Sequence, residues 1–249
     1  MEQNERVVSA SGLFKQFGGE TVLRGIDLGV TPGEILGILG PSGAGKTTLI
    51  KCLIGTLALN NGSVSIHGVT MPNLGMMDRI GYMAQQDALY EDLTGLQNLV
   101  FFGRLKGMRR RAAQTQAHAL MTLVELSGDE GKKVAHFSGG MKRRLSLAAA
   151  LIGEPDVIIL DEPTVGIDPV LRELFWQEFE RLKEKGRTII ITTHVMDEAD
   201  KCDRLILLRN GRIIEDGAPD LLKAKTPLGT LEAVFIDSAR RERAEGETA

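Results

Sequence analysis

The chain has 249 residues, 43% of them hydrophobic and 25% charged, and 30 basic residues against 33 acidic give a formal net charge of −3. That length suits one large α/β domain or two small ones, and the slight acidity argues against a general nucleic-acid binder. No apolar run approaches the roughly 18–20 residues needed to cross a bilayer, and LSLAAALI (145–152) is far too short. The polar, acidic start MEQNERVVSAS has no apolar core of a secretory signal. The chain is therefore expected to stay in the cytosol and to need another polypeptide for any work at a membrane. Cys52 and Cys202 stand far apart with no second Cys or His at ligand spacing. They are expected to be small buried residues, neither a zinc site nor a disulfide.

Along the chain, β-like runs alternate with helical stretches, which predicts a sheet with helices on its faces. TVLRGIDLGV (21–30) and, further on, GSVSIHG (62–68) alternate and contain glycine, the pattern of a smaller antiparallel sheet. EILGILG (34–40) is a strong strand candidate. Between Asp87 and Glu154 the texture turns helical: GLQNLVFFGRLKGM and AAQTQAHALMTLVEL carry apolar residues at three- and four-residue steps. This stretch reads as an all-helical insertion in an α/β core. VIILDE (157–162) and TIIITTH (188–194) are continuously apolar in the middle, as strands buried on both faces are. RLILLRNGRIIEDG (204–217) reads as a hairpin, with Asn210-Gly211 supplying the positive φ angles of a tight turn. After about Lys225 come a short apolar helix, LGTLEAVFI, and a charged stretch, SARRERAEGETA, expected to fray.

GPSGAGKT (40–47) matches G-x-x-x-x-G-K-S/T, with a buried strand leading in and a helical stretch, TTLIKCLIG, leading out. Gly40, Gly43 and Gly45 let the loop, with Pro41, Ser42 and Ala44, turn its N–H groups inward around an anion. The following helix adds its positive end. Lys46 is placed to reach the β- and γ-phosphates of a nucleoside triphosphate, and Thr47 to offer its hydroxyl to Mg²⁺, with Thr48 next in the helix. In VIILDEP (157–163), Asp161 at the end of a buried strand suits a Mg²⁺ that keeps part of its water shell. Glu162, pointing differently, is placed to orient an attacking water and accept its proton. His194 at the tip of TIIITTH is either a structural histidine or a sensor of the γ-phosphate that holds Glu162 and the water in line. His67, His118 and His136 read as surface or packing residues.

FSGGMKRRLSLAAALIGEP (137–155) opens with Ser138, a good N-cap, then Gly139 and Gly140, which allow close backbone approach by a ligand. Lys142, Arg143 and Arg144 follow in the first turns. The segment is either a capped helix with a solvated basic face or a second anion site.

The ordered set GPSGAGKT, a glutamine loop in GYMAQQD, SGGMK, VIILDEP, a TVGIDP loop and TTH resembles the nucleotide-binding subunit of ABC transporters over about 1–225. The resemblance implies a P-loop NTPase core of RecA-like type with a small antiparallel β subdomain and an all-helical insertion. That insertion, at about 87–154, is expected to dock onto a membrane-spanning permease, and 226–249 to form a short C-terminal helix and charged tail. The implied activity is hydrolysis of ATP with Mg²⁺, driving transport, in the outward direction, through that separate permease. The implied location is the inner face of the cell membrane.

Two such domains pair head to tail in the family, so each Ser138–Met141 segment is expected to close over the ATP of a second subunit, most simply a second copy. Gln85 resembles the glutamine that touches Mg²⁺, Phe17 in LFKQFGG the aromatic that stacks on adenine, and Asp168 the aspartate that couples the two sites. Met141 stands where many members have Gln and lacks that residue's hydrogen-bond donor. The pattern SGGMKRRL with EPTVGIDP looks like the branch of drug and sodium exporters. An ABC-type ATPase acting on ribosomes or DNA is the alternative, against which stand the acidity and the lack of a second nucleotide domain or long coiled-coil insertion.

Overall fold

The structure, a computed structural model, describes residues 6–86 and 88–247, so the first five residues of the polar start, and Asp87 at the edge of the helical stretch, lie outside it. The elements run β1 (Val8–Phe17), β2 (Glu20–Val30), β3 (Ile35–Leu39), α1 (Lys46–Leu53), β4 (Asn61–Ile66), β5 (Val69–Thr70), β6 (Ile80–Met83), α2 (Gly95–Leu105), α3 (Arg110–Leu123) and α4 (Gly139–Leu151). They continue with β7 (Val157–Asp161), α5 (Pro169–Glu184), β8 (Thr188–Thr193), α6 (Met196–Ala199), β9 (Arg204–Arg209), β10 (Arg212–Gly217), α7 (Pro219–Lys223) and α8 (Leu231–Glu247). Two compact units result, one of residues 1–73 with 190–249 and one of residues 74–189; the chain returns from the second to the first within β8.

In the first unit, β1 pairs antiparallel with β2 from Val8↔Val30 to Phe17↔Glu20, and with β4 on its other side. The order β2-β1-β4-β5 is the small antiparallel sheet expected from the alternating runs. The strand β1 itself was not legible, because its register shifts between Ala10 and Leu13 break the period of two. Beside this sheet, all five residues of β3 are buried, and β3 runs parallel to β9 with Leu36↔Arg204 through Leu39↔Leu207 in register. The order there is β10-β9-β3-β8. Asp203 pins the start of β3, accepting from the Ile35 N–H at 2.9 Å while its own N–H donates to the Ile35 carbonyl at 3.0 Å. The predicted hairpin is β9–β10, turned by Asn210 and Gly211 at φ 47° and 74°. Both cysteines are buried, as expected, and burial pushes the Cys52 thiol up to about 11.

The second unit pairs β6 with β7 in parallel, Ile80↔Val157 through Met83↔Leu160, with α4 packed on both strands. Thr94 opens α2 with a capping box: its hydroxyl accepts from the Gln97 N–H, and the Gln97 side chain accepts from the Thr94 N–H. The buried Asn98 accepts from the Tyr90 N–H and donates to the Tyr90 and Thr94 carbonyls, fixing the entry loop. The small residues Ala113 and Ala117 on α3 let it close against α2. Among the described residues no helix is long and apolar enough to cross a membrane.

The C-terminal stretch departs from expectation. In the stretch SARRERAEGETA, expected to fray, α8 continues to Glu247, and Thr248 and Ala249 lie outside the described residues. The reason is a set of polar anchors on the hairpin, within the same unit. Glu215 of β10 accepts from Ser238 Oγ at 2.5 Å and from Arg241 at 3.1 Å, and also takes the Lys225 ammonium. Arg209 donates to the Ala239 carbonyl at 2.6 Å and pairs with Glu242, which also accepts from the Asn210 side chain at 3.1 Å. Burial pushes the Glu215 carboxyl up, but the hydrogen bonds from Lys225 and Ser238 and the charges of Lys225 and Arg241 outweigh it and hold it below its usual value. A carboxylate with a depressed folded pKa stabilises the fold above its unfolded value, and that contribution fades as pH falls through the folded value. Glu215→Gln is therefore expected to cost about 1–3 kcal/mol at pH 7, from the charge-assisted bonds it loses. Urea unfolding should show this gap shrinking as pH drops below about 4.5.

Candidate functional site

The loop after β3 is shaped by two glycines. A Cβ on Gly40 would sit 2.3 Å from the Leu208 carbonyl oxygen of β9, and Gly45, the residue before α1, has φ 105°. Only glycine meets both demands without strain. The loop is braced from behind by the hairpin tip, where the Gly211 N–H donates to the Ala44 carbonyl at 3.2 Å and the Gly211 carbonyl accepts from the Arg24 N–H at 2.9 Å. Lys46 is 6% exposed, and its ammonium donates to the carbonyls of Gly40 at 2.7 Å and Pro41 at 3.2 Å, so it lies across the mouth of its own loop. Thr47 and Thr48 occupy the first turn of α1, at the positive end of the helix. In the same unit, Phe17 ends β1 with an exposed ring, under which the Lys15 ammonium lies 4.8 Å from the centroid. His194 stands one residue past β8 and is exposed, and the Thr193 hydroxyl before it accepts from the Val195 N–H and donates to Glu198.

In the second unit, β7 is buried along its whole length and ends at Asp161, which has no exposed surface. Glu162 follows with φ 52°, a left-handed backbone that costs a non-glycine residue on the order of 1–3 kcal/mol and persists only when its surroundings enforce it. Arg143 of α4 holds the backbone here. Its Nη2 donates to the carbonyls of Asp161 and Glu162, both at 2.5 Å, and its Nη1 to those of Ala84 at 2.8 Å and Gln85 at 3.1 Å. The structure thus brings Gln85, Asp161 and Glu162 together around one side chain. The sequence reading placed Arg143 in either a solvated basic helix face or a second anion site and missed this role, for which the local sequence carries no signal. Burial, and then the charge of Asp161, push the Tyr82 hydroxyl up to about 12.

Ser138 caps α4 as expected, its hydroxyl accepting from the Met141 N–H at 3.3 Å. A Cβ on Gly139 would meet nothing within 4 Å, and one on Gly140 only the Gly166 carbonyl at 3.8 Å. Packing within the chain therefore does not demand these glycines. The basic residues behind them do not form a solvated face: Lys142 pairs with Glu91 at 2.5 Å, Arg143 turns inward, and Arg144 donates to the Val124 and Glu125 carbonyls. Asp168 caps α5, accepting from the Val170 and Leu171 N–H groups at 3.1 and 3.0 Å. Within the second unit, Gln85 and Asp161 offer an amide and a fully buried carboxylate oxygen, hard donors of the kind Mg²⁺ takes.

A buried strand entering a glycine loop and helix, with a carboxylate pair at the end of another buried strand, defines a P-loop nucleotide hydrolase. Residues 23–165 match the family model described as ABC transporter, and the chain belongs to that family as an ATP-binding subunit that hydrolyses ATP. It is similar to the Nod factor export ATP-binding protein I of Burkholderia lata, 44% identical over 211 residues, 84% of this chain and 69% of that protein. It is also 39% identical over 239 residues to the probable multidrug ABC transporter ATP-binding protein YbhF of Escherichia coli, covering 93% of this chain and 41% of that one. Among solved structures, an ATP-binding subunit of an ABC transporter superposes with a TM-score of 0.87 at 27% identity, over 94% of this chain and 99% of that one. A dimeric ATP-binding cassette in a post-hydrolysis state, bound to ADP and Pi, superposes with a TM-score of 0.79 at 26% identity, over 85% of this chain and 98% of that one.

Two glycine positions should respond in opposite ways. Gly40→Ala forces a methyl into a backbone carbonyl and is expected to cost about 1–3 kcal/mol in thermal or urea unfolding, with weaker ATP binding. Gly139→Ala adds a methyl to open space and should leave the melting temperature where it is.

Proposed function

We propose that this chain is the motor subunit of an exporter, working as a head-to-tail dimer beneath a separate membrane-spanning permease. The observation that carries the hydrolytic step is Glu162, a carboxylate held in a left-handed backbone directly after the buried Asp161. Family membership supports assigning the residues of both units to one nucleotide. The N–H groups of Ser42–Thr48 cradle the phosphates, Lys46 swings from its loop carbonyls to the β- and γ-phosphates, and Phe17 stacks on adenine. Thr47, Gln85 and Asp161 hold Mg²⁺, which when bound neutralises charge on the phosphate oxygens. Glu162 orients the attacking water and takes its proton, while His194 bonds the γ-phosphate and keeps the water in line. Ser138, Gly139 and Gly140 donate to the ATP of the second copy. The open space at the two glycines supports that contact, and Met141 adds a side chain without the amide donor of Gln. Asp168, besides capping α5, faces the dimer seam and links the two sites.

Export is the direction named for the Nod factor relative, and it supports outward transport here. The second unit offers a face for the permease. A cleft of about 220 Å³, lined by Met77, Tyr82, Met83, Leu89, Phe102 and Leu105, lies beside the Gln85 loop. Tyr90, Phe101 and Phe102 stack edge to face next to it, and Leu105 is 70% exposed. A cytoplasmic segment of the permease seated there would press on the loop that holds Mg²⁺. On this reading the chain works at the inner face of the membrane through its partner.

Two outcomes test the proposal. Glu162→Gln should keep ATP binding, lower turnover by about 10²–10⁴-fold, and accumulate an ATP-dependent dimer in size-exclusion chromatography with light scattering. Unchanged turnover removes Glu162 from the chemistry. Leu105→Asp should keep the ATPase of the isolated chain yet release it from a multi-span protein that co-purifies with the wild type from mildly extracted membranes. Co-purification of the wild type with ribosomes or DNA instead overturns the permease assignment.

A further inference from the structure

We propose that Arg143 is a positioning residue for hydrolysis: it ties the start of α4, which faces the partner's ATP, to the backbone that carries Gln85, Asp161 and Glu162. The inference rests on the reading of this chain as an ABC ATPase. A guanidinium has five donors in one rigid plane and no acceptor, so it bonds several carbonyls only where the backbone brings them to its fork. Here one nitrogen spans Ala84 and Gln85 and the other spans Asp161 and Glu162, with the side chain 7% exposed. These four acceptors are not ordinary neighbours of the helix. They belong to the segments that supply two Mg²⁺ ligands and the base. The next residue, Arg144, shows the ordinary alternative, since it bonds the carbonyls of Val124 and Glu125 just past α3.

The arrangement has a mechanical consequence. Arg143 lies five residues after Ser138 in the same helix, and the Lys142 N–H already closes the first turn onto the Ser138 carbonyl at 2.9 Å. A shift of the α4 N-terminus as Gly139 and Gly140 engage a nucleotide is therefore carried rigidly to the fork. The fork in turn holds the left-handed Glu162 and the Gln85 carbonyl. Engagement of the opposing ATP and alignment of the water-activating carboxylate become one motion. Lysine at this position keeps the charge, but its single nitrogen cannot span both pairs of carbonyls in a plane. Glutamine keeps a planar donor without the reach or the charge.

The test uses the full chain with Arg143→Lys and Arg143→Gln, and Arg144→Ala as a control on the same helix. Three readouts are taken: ATP binding in EDTA, the rise in melting temperature when Mg²⁺ is added to ATP, and kcat with the Mg²⁺ concentration for half activation. Both Arg143 variants should bind ATP in EDTA within about threefold of wild type while kcat falls about 100-fold, the scale of a small misplacement of reacting groups. The Mg²⁺-dependent rise in melting temperature should shrink and half activation should need more Mg²⁺, with Lys recovering part of the loss and Arg144→Ala unchanged in its Mg²⁺ requirement. Wild-type kcat and Mg²⁺ requirement in Arg143→Lys overturn the fork. Loss of ATP binding in EDTA together with a lowered melting temperature in both Arg143 variants overturns positioning in favour of plain scaffolding. If the wild-type chain itself fails to hydrolyse MgATP, the ATPase reading falls, and that outcome is separate from either result for Arg143.

Discussion

The phosphate loop, the carboxylate pair and the terminal histidine all depend on apolar strands that stop abruptly where the chemistry begins. The five residues of β3 are all buried and give way to Gly40; β7 is buried to Asp161 and followed by Glu162; β8 is buried to Thr193 and followed by His194. A strand packed on both faces cannot slip without burying a charge or exposing several apolar side chains. The register of each strand is thereby fixed, and so is the height at which its terminal group emerges. Precision at the reacting end comes from hydrophobic burial behind it, not from the polar residues themselves.

That is also why so much of the site was legible in the sequence. The phosphate loop, the carboxylate pair and the terminal histidine each follow an apolar run whose length and patterning mark it as a buried strand, and Ser138 announces a cap by residue type and position. What was not legible depends on long-range contacts. β1 hides because its register shifts near Gly12 break the alternation that would reveal it. The continuation of α8 through SARRERAEGE depends on Glu215, Arg209 and Asn210, residues that meet it only in three dimensions. Arg143 was hardest of all, since local sequence cannot distinguish an arginine facing water from one that collects four carbonyls.

Several residues are committed to two tasks. Asp168 accepts the first N–H groups of α5 and so sets the start of that helix, whatever it does at a dimer seam. Ser138 spends a lone pair on the Met141 N–H and still presents its hydroxyl at the exposed head of α4. Glu162 carries its carboxylate on a backbone bent into an unfavourable conformation. Such double commitments limit what substitution is tolerated, because a replacement that suits one task breaks the other.

The turn at Asn210-Gly211 gives the phosphate loop an unexpected dependency. Its Gly211 N–H holds the Ala44 carbonyl, while the neighbouring Asn210 is held by Glu242, near the far end of the chain. The most widely recognisable loop of the molecule is thus propped, through two consecutive residues of a hairpin, by one of its least recognisable segments. Two relatives with identical motifs but different C-terminal helices therefore do not inherit the same loop stiffness, and sequence comparison confined to the motifs is blind to the difference.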